Sequence, residues 1–153
     1  MSNMADKYEI ATYITNNPVM ILGTIDGNGK PQGAAVYGLA TSPEQVYFVT
    51  KVETQKFRNI TVDPNVSITV VNASENSSLQ AGGKAEIEKS PQIIEMVMAK
   101  MARIYAHSVD WLPPITKLRA GAYQVVGIKL NYARLARFKD EHVGSQNIFK
   151  THH

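Results

Sequence analysis

The chain has 153 residues, 44% hydrophobic and 19% charged, with no cysteine and a net charge of +3. That is enough for one domain with a core, and it excludes disorder, disulfides, thiolate metal sites and a cysteine nucleophile. No apolar run approaches the ~20 residues needed to cross a bilayer, Met1 to Asp6 opens no signal peptide, and the Lys and Arg residues are scattered. The expectation is a cytoplasmic protein that binds neither membrane nor nucleic acid.

The first element predicted is a helix over Asn3 to Asn16, with Met4, Tyr8, Ala11 and Ile14 at helical spacing and Asn17-Pro18 as its stop. Val19 to Ile25 reads as a strand, and Asp26-Gly27-Asn28-Gly29 as a turn. Pro31 to Ala40 is a second strand rich in small residues, and Gln45 to Thr50 a third, aromatic and β-branched. Short turns between the three predict an antiparallel meander.

Thr54 to Val62 reads as a short helix, Val66 to Val71 as an alternating strand, and Leu79 to Lys89 as another strand with a bulge or close approach at Gly82-Gly83. Ser90-Pro91 opens a helix whose apolar stripe runs from Ile93 to Tyr105. His107 to Pro114 is irregular and holds Trp111. Ala122 to Phe138 is a final strand region, bent near Asn131, and the tail from Lys139 is polar. The predicted fold is mainly β (α+β): a split antiparallel β-barrel with peripheral helices, in one domain over 1–153.

No hydrolase elbow, phosphate-loop or zinc-helix signature is present. His107, at a helix end, and the remaining histidines make no metal or triad pattern, and Glu86 and Glu88 read as solvated strand residues. The informative stretch is Val46 to Ile60. A strand ends at Thr50, a short loop follows, and a helix begins at Thr54 with Lys56 in its first turn. Unpaired N–H groups, a partial positive charge and a lysine together make a phosphate seat. A capped helix with a solvated lysine would read the same way. On the second strand, Gly33-Ala34-Ala35-Val36 could let a flat ring approach the backbone, or could simply pack tightly.

The order of these motifs is similar to the pyridoxamine 5′-phosphate oxidase-like, FMN-binding split-barrel proteins. The resemblance rests on the Gly27-Asn28-Gly29 turn, Lys30-Pro31, Tyr47-Phe48-Val49-Thr50, Thr54-Gln55-Lys56, Asn59-Ile60, Asp63-Pro64-Asn65-Val66 and Gly82-Gly83-Lys84-Ala85-Glu86. It covers Pro18 to Glu88 well and Ala122 to Phe138 more loosely. It implies a homodimer with FMN sites at the interface and a small-molecule substrate. Lys56 and Thr54 would hold the phosphate, within a cofactor-binding stretch that includes Val49 and Gln55. Thr50 and Lys51 would flank the phosphate or ribityl chain, and the backbone of Ala34, Ala35, Val36 and Tyr37 would face the isoalloxazine. Gln80 would reach the ring from the neighbouring strand, and Trp111 would close the site from the partner chain.

The chain departs from the family's oxidases in two places. Their Arg-x-Val-Leu-Leu-Lys register reads Ala34-Ala35-Val36-Tyr37-Gly38-Leu39 here, and their Ser-Arg-Lys reads Thr54-Gln55-Lys56. Pyridoxine phosphate is therefore not the expected substrate. The resemblance implies an FMN-dependent oxidoreductase with no catalytic residue assigned. The alternatives are a non-catalytic flavin-binding module and a relative that binds a deazaflavin or haem.

Overall fold

The computed structural model describes residues 3–104, 121–139 and 142–147, so Tyr105, His107 and Trp111 lie outside the described residues. Helix α1 (Asn3–Asn16) is followed by β1 (Val19–Ile25), β2 (Pro31–Tyr37), β3 (Leu39–Ser42) and β4 (Gln45–Lys51). Then come α2 (Gln55–Val62), β5 (Asn65–Asn72), β6 (Ser77–Ile87), α3 (Pro91–Ile104), β7 (Tyr123–Lys139) and β8 (His142–Asn147).

The strands form one antiparallel sheet in the order β2-β1-β5-β6-β7-β4-β3, with β8 paired to β7. β2 and β3 stand at opposite ends of that order yet are separated in sequence only by Gly38. The segment 31–42 therefore spans the split of a curled sheet, which is the predicted split barrel with peripheral helices.

The expected meander is corrected at this point. β1 and β2 form a hairpin, and so do β3 and β4, but no ladder joins β2 to β4. The break falls at Gly38 because Met20 occupies the space beside it: a Cβ there would lie 2.4 Å from the Met20 sulfur.

Inward-facing positions alternate along the strands and build the main core. Met20 and Leu22 come from β1, Val46 and Phe48 from β4, Ile68 and Val70 from β5, and Leu79 and Ala81 from β6. α1 adds Ile10, Tyr13 and Ile14 to this core, while Tyr8 is 56% exposed. Its buried face is thus rotated from the predicted Met4–Tyr8–Ala11–Ile14 stripe. α3 covers part of the outer surface, where Val97, Met98 and Met101 pack with Leu39, Tyr47 and Val125.

β6 and β7 change register between Gly82 and Gly83, leaving Asn131 as the extra residue on β7. The bulge expected at Gly82-Gly83 is present. The polar tail from Lys139 supplies the backbone of β8, an element the sequence reading does not contain.

Candidate functional site

Thr54 caps α2 from extended backbone (φ −82°, ψ 155°), and its Oγ1 accepts from the Phe57 N–H at 3.3 Å. The same hydroxyl donates to the Lys51 carbonyl at 2.8 Å and lies 3.2 Å from Thr50 Oγ1. Thr50 itself is buried, facing inward with Val46 and Phe48. The two hydroxyls therefore brace the strand–helix junction. Lys51 is exposed at the end of β4 with its ammonium 5.8 Å from the centre of the Tyr123 ring. Val49 packs outward into the cluster under α3.

Lys56 is half-buried in the first turn of α2, which contains no acidic residue. Among the described residues it makes no hydrogen bond or ion pair. Burial lowers its pKa from the ordinary 10.5. A partly desolvated ammonium at a helix N-terminus, with no counter-charge among the described residues, suits an external anion.

Gln55 is not free to join it. Its Nε2 donates to Asn59 Oδ1 at 2.8 Å, and its Oε1 accepts from Arg58 at 2.8 Å.

Asn59, which the sequence reading quoted with Ile60 for the resemblance but gave no role, is the residue at the centre of this site. It is 2% exposed, and its Nδ2 donates to Thr24 Oγ1 of β1 at 2.9 Å and to Gln32 Oε1 of β2 at 2.8 Å. This one amide ties α2 to the first hairpin. The available signal was a polar residue beside Ile60 on the inward face of an amphipathic helix.

That tie places α2 near β2, a terminal strand of the sheet order. The Gly38 N–H donates to the Pro18 carbonyl and the Asp26 N–H to the Lys30 carbonyl, both at 2.8 Å. In the alternation this sets, Ala34 and Val36 bond to β1, while Gly33 and Ala35 turn their N–H and C=O groups away from it, toward the split. Tyr37 shares the outward alternation and has partners of its own. Of the four predicted ring-facing positions, Ala35 keeps an outward backbone edge and a small exposed side chain, and Val36 is buried.

Gln80 is placed differently from the expectation. Its strand is not the neighbour of β2, because β1 and β5 lie between them. Ala35, Ile21, Thr69, Gln80 and Arg134 form one cross-strand row. At ~4.8 Å per strand, Gln80 is about 14 Å from Ala35 along the sheet. It cannot reach a ring seated on Ala35 of its own chain.

The family model described as pyridoxamine 5′-phosphate oxidase matches residues 7–136. The chain belongs to the pyridoxamine 5′-phosphate oxidase family. No curated protein matches it significantly. Solved structures of similar fold include a Clostridium acetobutylicum protein related to general stress protein 26, of the pyridoxinephosphate oxidase family. It is 15% identical with a TM-score of 0.67, covering 95% of this chain and 98% of that one. A conserved hypothetical protein from Mycobacterium tuberculosis is 22% identical with a TM-score of 0.68, covering 95% and 88%. An F420 reductase is 19% identical with a TM-score of 0.62, covering 79% and 93%. These likenesses establish a fold shared with other split barrels of the family. Within that fold, α2, which carries Lys56, lies beside β2, a terminal strand of the sheet order.

Proposed function

We propose that this family member is a cytoplasmic, homodimeric, FMN-dependent oxidoreductase acting on a small-molecule substrate. The observation that carries the reading is Lys56: a half-buried cation on a helix N-terminus, with no partner among the described residues. In this reading Lys56 and the first N–H groups of α2 hold the phosphate. Gly33 and Ala35 offer backbone donors and acceptors to the ring edge.

FMN supplies the hydride chemistry when bound, and the chain supplies position and electrostatics. That division of labour agrees with the lack of any cluster of acids, bases and nucleophiles in the described site. The fold shared with an F420 reductase supports a second reading, a deazaflavin in the same seat. Absorbance spectra of the purified protein, alone and titrated with FMN, separate the two. Flavin bands with saturable binding support FMN, and failure to bind FMN overturns it. Reduction of the bound flavin by a nicotinamide donor would distinguish an oxidoreductase from a flavin carrier.

Lys56→Met should weaken FMN binding by about 1.5–3 kcal/mol, roughly 10- to 150-fold, as for loss of a charged hydrogen bond. The apo variant should be no less stable than the parent, because an unpaired, partly desolvated ammonium is replaced by an apolar chain. Unchanged FMN affinity would remove Lys56 from the seat. The pH dependence follows with its sign. The folded pKa lies below 10.5, so the apo protein gains stability as pH rises through it and the penalised charge is lost. Phosphate affinity falls over that same window.

The dimer is proposed from the outer face of β1 and β5. Val19, Ile21 and Val71 are 51%, 47% and 65% exposed there, beside the ring-facing edge of β2. Ile21→Glu should give a monomer by analytical ultracentrifugation with its fold intact. A dimer that persists in this variant would place the interface elsewhere.

A further inference from the structure

A groove of about 440 Å³ opens on the outer surface of β4, β7 and β6 and is bounded by Pro64, just past the C-terminal end of α2 and not at its N-terminal seat. Its floor is Gly127, at the centre of a three-strand patch. One row of that patch is Lys84, Lys129 and Gln45, and the next is Glu86, Gly127 and Tyr47. A Cβ at residue 127 would lie 2.9 Å from the Gln45 amide nitrogen and 3.0 Å from the Tyr47 ring, so these two side chains lean over Gly127 and leave no room for a larger residue at the groove floor.

The walls are chemically unequal. Lys84 and Lys129 are direct cross-strand partners, both exposed. Like charges directly opposite one another oppose pairing. Neither lysine makes an ion pair with a carboxylate among the described residues. Glu86 stands one step along the strand on the same face, beside Lys84 and diagonal to Lys129.

On the other side the acids are arranged differently. Glu88 is held in place by the Ser90 N–H, from which it accepts at 3.1 Å, and it lies near the buried Tyr47. Burial and this carboxylate together raise the Tyr47 pKa, so its proton stays on the phenol. Glu86 is exposed and remains an acceptor at the groove wall.

We propose that this groove is a second binding site, distinct from the flavin seat. It takes a small metabolite that carries a carboxylate or phosphate at one end and amino or hydroxyl donors at the other. The anion bridges Lys84 and Lys129, the body lies over Gly127, and the donors meet Glu86. The bridge uses two cations that face each other across the ladder, and the opposed walls fix the ligand's direction.

The test uses isotope-labelled full-length protein, titrated separately with O-phosphoserine, glutamate and inorganic phosphate and followed by amide NMR. Saturable shifts at Ala85, Gly127 and Lys129 are expected with O-phosphoserine or glutamate. Inorganic phosphate, which lacks the second end, should bind more weakly. A response to O-phosphoserine alone assigns a phosphate ligand, and a response to both assigns a carboxylate. Lys84→Gln/Lys129→Gln should weaken that binding roughly tenfold or more, while Lys56→Met leaves it unchanged. Shifts that never saturate, or that survive in the double variant, would overturn the site. An unchanged amide spectrum away from the groove shows that the double variant is folded.

Discussion

Gly83→Ala should unfold at a much lower urea concentration than the parent chain, with a loss of about 3–5 kcal/mol. A Cβ at Gly83 would lie 1.9 Å from the Lys129 carbonyl oxygen, 2.7 Å from its carbon and 2.9 Å from the Leu130 Cα. All three are backbone atoms, so no rotamer change relieves the clash. Only displacement of β7 from β6 does, at the bulge where the two strands change register. Gly82→Ala meets the Tyr132 ring instead, at 2.5 Å, and a side chain can swing away. Gly33→Ala meets a single methyl of Ile21 at 3.4 Å, an ordinary contact. The expected order of destabilisation is therefore Gly83, then Gly82, then Gly33. Urea unfolding of the three variants checks it, and a Gly83→Ala midpoint near that of Gly33→Ala would refute the close approach.

The bulge shows what was legible in the sequence. Two adjacent glycines inside an otherwise regular strand have few explanations, and close backbone approach is one. The bounds of α1 and β1 were equally clear, because Asn17-Pro18 forces a break and Asp26 to Gly29 forces a turn. Gly38 was harder. The strand expected over Pro31 to Ala40 reads as continuous, and only the Met20 side chain, which arrives from β1, shows that the chain must break there. Where the two halves of the segment pair is a tertiary fact, and with it went the meander. β8 was missed because His142–Asn147 has no apolar alternation and exists as a strand only by pairing with β7.

The candidate site divides along the same line. Lys56 and Thr54 were visible because a cap and a first-turn lysine are local features. Thr50 reads as an available hydroxyl at a strand end, yet it falls on the inward parity of β4 with Val46 and Phe48. Gln55 reads as the replacement for a phosphate-holding arginine, but its amide is engaged at both ends within α2. Gln80 was placed by its strand, and strand order in a curled sheet does not follow chain order. A motif carried over residue by residue keeps the local features and loses those that depend on which strands meet.

Asn59→Ala should cost about 2–4 kcal/mol of stability, measured by urea or thermal unfolding, and should weaken FMN binding as well. The carboxamide makes three hydrogen bonds, to Thr24, Gln32 and Gln55, from a position 2% exposed. Truncation leaves the Thr24 hydroxyl, itself 3% exposed, without this partner. It also unfastens α2, which carries Lys56, from the β1–β2 hairpin. Asn59 touches no ligand in this scheme; it is a positioning residue, and a double-mutant cycle separates that role from simple destabilisation. If Asn59 acts by placing Lys56, then Asn59→Ala should weaken FMN binding in the parent and add little once Lys56→Met is present. Equal losses in both backgrounds, measured where every variant is fully folded, would mean that Asn59 supports binding through some other group. The coupling energy is then a direct measure of how strongly one buried amide organises the proposed phosphate seat.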